Sequence, residues 1–263
     1  MRWIELLVAL APGSRPPLGA ILRVFFVSSF VSNFVPSVAS DLYRAYALSR
    51  HDVHLAESTA SVLMDRALGV LSVLLVGAAA LPFVPQFAGR GAVVAGLVAM
   101  FVLCAIATAV IFSERAAGAV RAAAGLVPLG VLQRVTAALT EAVRRYATHH
   151  GPLVRVLVLS VAVQIFRVLQ AWCLGQALGI TLPVATYFAF IPVIVLIIQL
   201  PITINGLGTT QVAFKYLFVP AGAPEPHVFA LSVLFLALGI IGTLPGGPLY
   251  AFGEGVPRRD DQA

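Results

Sequence analysis

The stretch QLPITINGLGTTQ, residues 199–211, interrupts an apolar run with a proline, an asparagine and two glycines, after which an apolar segment resumes. Proline removes a helical hydrogen bond and glycine weakens a helix, so the stretch predicts a helix break. At membrane depth, unpaired backbone N–H and C=O groups cost several kcal/mol each. They persist only where protein or a water-filled cavity satisfies them. If this segment lies in a membrane, the break therefore indicates a cavity.

The composition of the whole chain predicts an integral membrane protein. Of its 263 residues, 60% are hydrophobic and 11% are charged, and the mean hydropathy is +0.97. A soluble domain carries about 25% charged residues. The formal net charge of +6 comes from arginines that lie mostly between apolar runs, which is typical of basic cytoplasmic loops and predicts no nucleic-acid partner. Cys104 and Cys173 lie inside apolar runs without metal-site spacing, so neither a metal nor a cofactor is expected.

The apolar runs predict an all-α polytopic helical bundle that forms one transmembrane domain over residues 1–263. The expected spans are residues 18–36, 58–82, 91–113, 153–178, 183–200 together with 208–219, and 227–250. The pair 183–200 and 208–219 is expected to be a broken helix or a re-entrant hairpin. Residues 114–152 carry arginines at roughly helical spacing, which predicts an amphipathic segment at the membrane interface.

The basic loops predict the orientation. Residues 41–57 and 114–152 hold most of the loop arginines, and two spans separate them, so both should lie on one side. That side is interpreted as the cytoplasmic face of the cell membrane. Arg258 and Arg259 would join it if residues 183–219 form a hairpin that returns to its own side.

A second helix break is predicted in NFVPSVASDLYR, residues 33–44. Both breaks have the same layout, in which an apolar helix is followed by a proline (Pro36 or Pro201), by small and polar residues, and by another helix. Two such breaks in the two halves of a membrane chain are typical of a repeat-built transporter whose site lies where the broken helices meet. The alternative is that each proline only kinks its helix, which membrane helices tolerate.

Charged residues within the predicted spans indicate a polar interior, because charges at membrane depth are costly and normally face the bundle interior in pairs. Those in or near the spans are Arg23, Asp65, Arg66, Arg167 and Lys215. Lys215 is interpreted as reaching the interface. For Arg167 a structural ion pair with Asp65 or Asp41 is the alternative to a functional role. A cavity lined by arginine, asparagine and backbone N–H groups suits an anion such as phosphate.

A polar stripe is predicted along the fourth span. Ser160, Gln164, Arg167 and Ala171 follow helical spacing, so these small and polar residues should share one face of an otherwise apolar helix. That face is expected to point into the bundle.

Four motifs resemble the lysylphosphatidylglycerol synthase transmembrane region, also called the flippase-like domain family. They are NFVPSVASDLYRAY (33–46), ASVLMDRALG (60–69), QIFRVLQAWCLGQALG (164–179) and LPITINGLGTTQ (200–211). The resemblance covers nearly the whole chain. It implies a membrane domain for lipid movement. In the multiple peptide resistance factor this domain precedes an aminoacyl transferase domain and is held to move aminoacylated phosphatidylglycerol between leaflets.

The resemblance implies site residues at the positions that match its motifs. They are Asn33, Asp41, Arg44, Asp65, Arg66, Gly69, Arg167, Asn205, Gly206 and Gly208, with Pro36 and Pro201 as the structural breaks. Two further candidates are Arg23, by its charge, and Gln211, where the family usually has an acidic residue. The chain also has Ser40 where the family usually has glycine. Family members usually begin with two further helices, and RWIELLVAL (2–10) resembles the end of the second.

Three functions are considered. The first is a non-enzymatic transporter that moves an anionic phospholipid or polyprenyl-linked lipid between leaflets, with Arg23, Arg66 and Arg167 neutralising phosphate. The second is a membrane scaffold for a lipid-modifying synthase or glycosyltransferase, docked on residues 114–152. The third is an intramembrane lipid transferase, but HDVH (51–54) favours a solvated loop over a metal site, and no Walker A or HExxH motif occurs. No catalytic residue is therefore expected.

Overall fold

The computed structural model of the chain describes five continuous segments and scattered positions elsewhere. The segments are residues 18–35, 37–49, 55–80, 150–199 and 203–252; the other described positions are residues 5–6 and isolated positions or runs of two or three residues between 99 and 146. The prolines at the two breaks, Pro36 and Pro201, lie outside the described residues, as do the HDVH motif and Arg258 and Arg259. The predicted segments 91–113 and 114–152 lie mostly outside them.

The regular structure in the described segments is helical, and the predicted all-α membrane fold is confirmed. The helices are α1 (Leu18–Val31), α2 (Ser37–Ser49), α3 (Leu55–Ala80), α4 (His150–Ala177), α5 (Val184–Gln199), α6 (Thr209–Phe218), α7 (Glu225–Ile241) and α8 (Gly246–Ala251). A 3₁₀ turn, Ile204–Gly206, lies between α5 and α6. The first part of the basic segment 41–57 is therefore helix α2, and the predicted last span is two helices.

The helix ends follow local sequence signals. Helix α3 carries Glu57 in its first turn, where a carboxylate is favoured by the helix dipole, and its last residue stands two positions before Pro82. Helix α7 starts after Pro224 with Glu225 in its first turn. Helix α5 continues through Pro192, which is buried. Packing against neighbouring helices therefore outweighs the lost hydrogen bond there.

Among the described helices, α3 packs against α2, α4 and α5. Its Met64 and Leu68 pack with Leu153 and Val156 of α4 in one buried cluster. A second cluster joins α3 and α4 to α5, α6 and α7. At its centre the Phe218 ring lies 5.0–5.3 Å from the rings of its aromatic neighbours Tyr187, Phe190 and Phe214. These contacts fix the second half of the chain as one packed unit.

Two described helical segments, Glu57–Ala80 and His150–Ala177, are long and apolar enough to cross a membrane. Three shorter apolar helical segments accompany them, Gly19–Val31, Val184–Gln199 and Glu225–Ile241. Large apolar side chains point outward on the bundle surface, among them Val158, Phe166 and Phe229. In a membrane domain such side chains face lipid.

In the predicted interfacial segment 114–152, the described positions include a small charge cluster. Glu141 pairs with Arg144 at 2.9 Å and with Arg145 at 3.2 Å, at helical spacing. The Arg144 hydrogen bond and charge hold the pKa of the Glu141 carboxyl below its usual range. Glu141 therefore partly neutralises these two arginines, which lie in the segment 114–152 that the scaffold function would use for docking.

Candidate functional site

The break between α5 and α6 rests on backbone conformations that few residues adopt. Asn205 has φ 52 and ψ 22, Gly206 has φ 74 and Gly208 has φ 82. Positive φ is common for glycine and tolerated by asparagine, but it is strained for other residues. The Thr210 hydroxyl donates to the Gly206 carbonyl at 2.7 Å, and the Gly208 N–H donates to Gln211 Oε1 at 2.7 Å. The described part of the break is therefore a defined turn in which side chains satisfy the Gly206 carbonyl and the Gly208 N–H.

The break between α1 and α2 is built differently. Backbone hydrogen bonds continue past the end of α1, from Ser32 N to Ser28 O at 3.0 Å and from Val35 N to Val31 O at 3.2 Å. The Ser32 hydroxyl also donates to the Ser29 carbonyl at 2.7 Å. The chain thus leaves α1 through a gradual turn before α2 begins.

Side chains from three breaks meet at one point. Asn205 Nδ2 donates to Asn33 Oδ1 at 3.2 Å, across 172 residues of chain. Asn33 Nδ2 donates to Thr243 Oγ1 at 2.7 Å, and the Thr243 hydroxyl donates to the Ile240 carbonyl at 2.7 Å. Thr243 lies in the turn between α7 and α8. This hydrogen-bonded group, Asn33, Asn205 and Thr243, is called the amide junction below.

A cavity of about 1040 Å³ lies beside the amide junction, and all three of its residues line the cavity. Side chains from α1, α3, α4, α5 and α7 form its walls, and Arg44 reaches it from α2. Its charged lining residues are Arg44, Asp65, Arg66 and Arg167. The cavity is large enough for a small ligand or a lipid headgroup, since ligand pockets measure about 300–1,000 Å³.

Arg66 is held by an ion pair across α2 and α3. Its Nε lies 2.8 Å from Asp41 Oδ2. The Arg66 side chain is 41% exposed and that of Asp41 is 20% exposed. Arg66 therefore lies at the cavity surface, and Asp41 lies deeper, behind it. The second Asp41 oxygen, Oδ1, is buried and has no hydrogen-bond partner among the described residues. Asp41 is thus the partner of Arg66, while the predicted alternative, an ion pair of Arg167 with Asp65 or Asp41, stays a prediction.

Arg44 is positioned by α1. Its Nε donates to the Ser28 hydroxyl at 3.1 Å, and its guanidinium carbon lies 5.3 Å from the centroid of the Phe25 ring. The Ser28 hydroxyl in turn donates to the Phe25 carbonyl at 2.9 Å. A guanidinium over an aromatic face gains cation–π attraction. These contacts hold a positive charge at the cavity wall.

The opposite wall belongs to α4. Ser160, Gln164 and Ala171 are buried on the face that packs into the bundle, as their spacing predicts. Arg167, one turn after Gln164, lies at the edge of this face, where its Nη1 donates to Gln164 Oε1 at 3.4 Å. Both residues line the cavity. The α4 stripe thus contributes a cation and an amide to the wall that faces α1.

The structure brings together six of the predicted site residues at the cavity. These are Asn33, Arg44, Asp65, Arg66, Arg167 and Asn205, and a seventh predicted residue, Gly69, lines it as well. Asp41 stands behind Arg66. The remaining predicted residues, Arg23, Gly206, Gly208 and Gln211, are not in the cavity lining. Arg23 is exposed, while Gly206 and Gln211 shape the turn that delivers Asn205.

Three residues illustrate what sequence reasoning missed in the cavity lining. Phe25 supports Arg44, Gln199 comes from the end of α5, and Thr243 belongs to the amide junction. Gln199 opens the stretch QLPITINGLGTTQ, and Thr243 directly precedes the proline- and glycine-rich LPGGP, residues 244–248, so position next to a helix-breaking stretch was the available signal. Phe25 had none, since helix α1 is apolar on most of its surface.

A comparison with protein-family models shows which family the chain belongs to. The family model described as the lysylphosphatidylglycerol synthase TM region matches residues 1–246. The chain belongs to this family. The suspected resemblance is thereby confirmed, and the chain is a membrane domain of a family often linked to lipid-related function. No curated protein and no solved structure matches it.

Proposed function

We propose that this chain moves an anionic lipid between the two leaflets of the cell membrane, with its basic segments on the cytoplasmic side. The observation that carries this proposal is the cavity beside the amide junction. It is lined by Arg44, Arg66 and Arg167, and it lies where the broken helices of the two halves of the chain meet.

Charge is the first support. A phosphate that enters hydrocarbon without partners pays a large desolvation cost. Guanidinium groups offset this cost with charge-assisted hydrogen bonds, and they bind phosphate oxygens in a two-pronged geometry. Arg66 is already paired with Asp41. A lipid phosphate would therefore share Arg66 with Asp41 and take its remaining contacts from Arg44 and Arg167.

Depth in the membrane is the second support. Arg66 is the twelfth of the 26 residues of α3, roughly 17 Å from the start of the helix at 1.5 Å per residue. Arg167 is the eighteenth of the 28 residues of α4, so it too lies far from either helix end. Cations at mid-depth of a membrane domain are functional candidates by default. Arg66 and Arg167 would lower the free-energy barrier to headgroup crossing at the point where the headgroup is farthest from water.

An apolar opening is the third support. Phe25 of α1 and Leu159, Val163 and Phe166 of α4 line the cavity and are also exposed on the bundle surface, Phe166 to 71%. Helix α1 packs against α2 and α8, whereas α4 packs against α3, α5 and α7. A headgroup could occupy the cavity between α1 and α4 while its acyl chains remain in the surrounding lipid.

Leaflet exchange of fluorescent lipids in proteoliposomes tests this function. We expect Arg167→Ala to slow exchange of an anionic lipid by at least about tenfold, because one lost charge-assisted contact is worth roughly 1.5–3 kcal/mol. Arg167→Lys should retain part of the activity. Arg144→Ala, which removes an exposed arginine in another segment, is the matched control.

Two results would overturn the proposal. One is unchanged exchange by Arg167→Ala with the protein correctly inserted. The other is absence of exchange by folded wild-type protein. In the second case, copurification of a soluble transferase that is lost on charge reversal at Arg144 and Arg145 would favour the scaffold function instead.

A further inference from the structure

We infer that the chain binds an anionic phospholipid at a second site, outside the cavity, where Arg23 of α1, Tyr43 of α2 and Tyr250 of α8 converge. This group is called the Arg–Tyr site below. It takes the phosphate of a lipid in the leaflet at that end of α1. The inference goes beyond lipid movement, because it concerns a lipid that stays bound at the surface of the bundle.

The docking of α8 on α1 brings Tyr250 to the level of Arg23. The residues that follow α1 bond to the turn before α8, and a Cβ on Gly246 would overlap the carbonyl oxygen of Phe26. The two helices therefore run antiparallel in close contact. Tyr250 lies one turn beyond Gly246 in α8, and Arg23 lies about one turn before Phe26 in α1.

Helix α2 brings Tyr43 to the same end of α1. Arg44 Nε donates to the Ser28 hydroxyl at 3.1 Å, so α2 lies against the same stretch of α1. Tyr43 lies between the predicted spans. Burial raises the pKa of its hydroxyl above the usual range; the charge of Tyr250 adds to this rise and the charge of Arg23 opposes it. Such effects are short-ranged, so the three side chains lie near one another.

The depth of Arg23 indicates that the site lies at the level of the lipid headgroups. Arg23 is exposed and does not line the cavity, and an exposed guanidinium in hydrocarbon is costly. Asn33 of the amide junction follows Arg23 by ten residues, roughly 15 Å of helix. This is about half of a hydrocarbon core of about 30 Å. With the junction near mid-depth, Arg23 lies at the headgroup boundary, which the predicted orientation assigns to the cytoplasmic leaflet.

The chemistry of the Arg–Tyr site fits a lipid phosphate. A guanidinium carries five N–H donors, so it binds phosphate while it keeps contacts within the protein. Each phenol hydroxyl donates one further hydrogen bond. Tyrosine favours the headgroup level, because its ring is apolar and its hydroxyl is polar. Leu249 and Phe252, which flank Tyr250 on the chain, are exposed. Acyl chains of the same lipid would cover these apolar side chains, which favours a lipid over a soluble phosphate.

Native mass spectrometry of the protein in detergent micelles tests the site. The protein is titrated with phosphatidylglycerol or with glucosyl diacylglycerol, which has the same acyl chains and no phosphate. We expect Arg23→Ala to lose one bound phosphatidylglycerol and Arg23→Lys to retain it in part. Tyr250→Phe should weaken binding roughly fivefold, as the loss of one hydrogen bond of about 1 kcal/mol gives. Arg155→Ala is the matched control, since Arg155 is an exposed arginine near the start of α4 that does not line the cavity.

The variant Arg167→Ala separates the Arg–Tyr site from the cavity. Arg167 lines the cavity, whereas Arg23 does not. We therefore expect the double variant, Arg23→Ala with Arg167→Ala, to bind one phosphatidylglycerol fewer than Arg167→Ala alone. The count of bound lipids does not depend on leaflet exchange, so a failure of the transport proposal leaves this test intact.

Several outcomes would overturn the inference. An unchanged count for Arg23→Ala is one, and equal binding of the two lipids by wild-type protein is another. Unchanged binding by both Tyr250→Phe and Tyr43→Phe would reduce the site to an arginine alone. Displacement of phosphatidylglycerol by glycerol 3-phosphate would show that the site takes a soluble phosphate. A dimer that forms without added lipid and is lost in Arg23→Ala would show that a second copy of the chain covers this surface instead.

Discussion

The two breaks that meet in the cavity are made in different ways. Between α5 and α6, three residues have positive φ: Asn205, Gly206 and Gly208. The backbone conformation of these residues therefore fixes the turn. Between α1 and α2 the backbone keeps its turn hydrogen bonds through Val35, and side chains such as Asn33 and Asp41 fix it to the rest of the bundle. The break between α5 and α6 is therefore called the rigid break, because its own backbone conformation fixes it. The break between α1 and α2 is called the partner-dependent break, because contacts with other helices fix it.

This difference assigns the two breaks different mechanical roles. A turn fixed by its own backbone holds Asn205 at the cavity whatever its neighbours do. The first break carries Asn33 and, just beyond it, Asp41 and Arg44, whose positions depend on contacts with other helices. Contacts between elements can be exchanged for contacts to a ligand. If the proposed function holds, we therefore expect a bound headgroup to move the first break rather than the second.

The largest effect is expected for Gly206→Ala in the rigid break. A Cβ there would lie 2.9 Å from Thr210 Oγ1 and 3.0 Å from Ile198 Cγ2, at φ +74. Strain at positive φ costs about 1–2 kcal/mol and overpacking about 1–3 kcal/mol. We expect the free energy of unfolding to fall by roughly 2–4 kcal/mol, measured by denaturation in detergent micelles.

Gly208→Ala is the matched control, because Gly208 has φ +82 but no atom within 4 Å of the added Cβ. Only the strain of about 1–2 kcal/mol remains. Equal destabilisation by the two variants would show that crowding by Thr210 and Ile198 plays no part in the rigid break.

The next effect compares the two asparagines of the amide junction. Asn33→Ala removes the bonds to Asn205 and to Thr243, and we expect it to cost about 1–3 kcal/mol of unfolding free energy. Asn205→Gly removes one bond but relieves a positive φ, so its net cost should stay below about 1 kcal/mol. If Asn205→Gly costs as much as Asn33→Ala, the second break is not held by its backbone.

How far the sequence predicted this arrangement depends on the kind of signal. Proline, glycine and asparagine in apolar runs located the breaks, because backbone geometry limits which residues such turns accept. The predicted convergence of the two breaks corresponds to the Asn205–Asn33 hydrogen bond. The substrate-binding role of these residues stays a prediction.

Side-chain direction was harder to predict. Arg23 and Phe25 lie two residues apart in α1, yet Phe25 lines the cavity and Arg23 does not. Helix α1 is apolar on nearly every side, so no periodicity shows which face turns inward. Thr243 depends on the docking of α8 against α1, a contact between distant parts of the chain that local patterns do not encode.

A smaller effect is expected for Asp41→Asn in the partner-dependent break. The change keeps the shape of the side chain and removes the charge that pairs with Arg66 at 2.8 Å. Because Arg66 is 41% exposed, solvent screens part of the loss, and we expect a cost of about 1 kcal/mol in unfolding free energy. Glu141→Gln, which discharges an exposed ion pair, is the control and should leave the unfolding midpoint unchanged. If the unfolding midpoint of Asp41→Asn is as high as that of Glu141→Gln, the ion pair between Asp41 and Arg66 does not stabilise the first break.

The smallest expected effect is a gain in unfolding free energy from Gln211→Glu in the rigid break. Gln211 Oε1 accepts the Gly208 N–H at the start of α6, where the family usually has an acidic residue. A carboxylate would make this a charge-assisted bond, and it would lie at the positive end of the helix dipole. We therefore expect a stabilisation of about 0.5–1 kcal/mol at neutral pH. Protonation removes the added charge, so this gain should disappear as the pH falls below the ordinary range of a glutamate carboxyl, about 4. Because Gln211 does not line the cavity, lipid exchange should be unchanged; altered exchange would mean that the rigid break moves during transport.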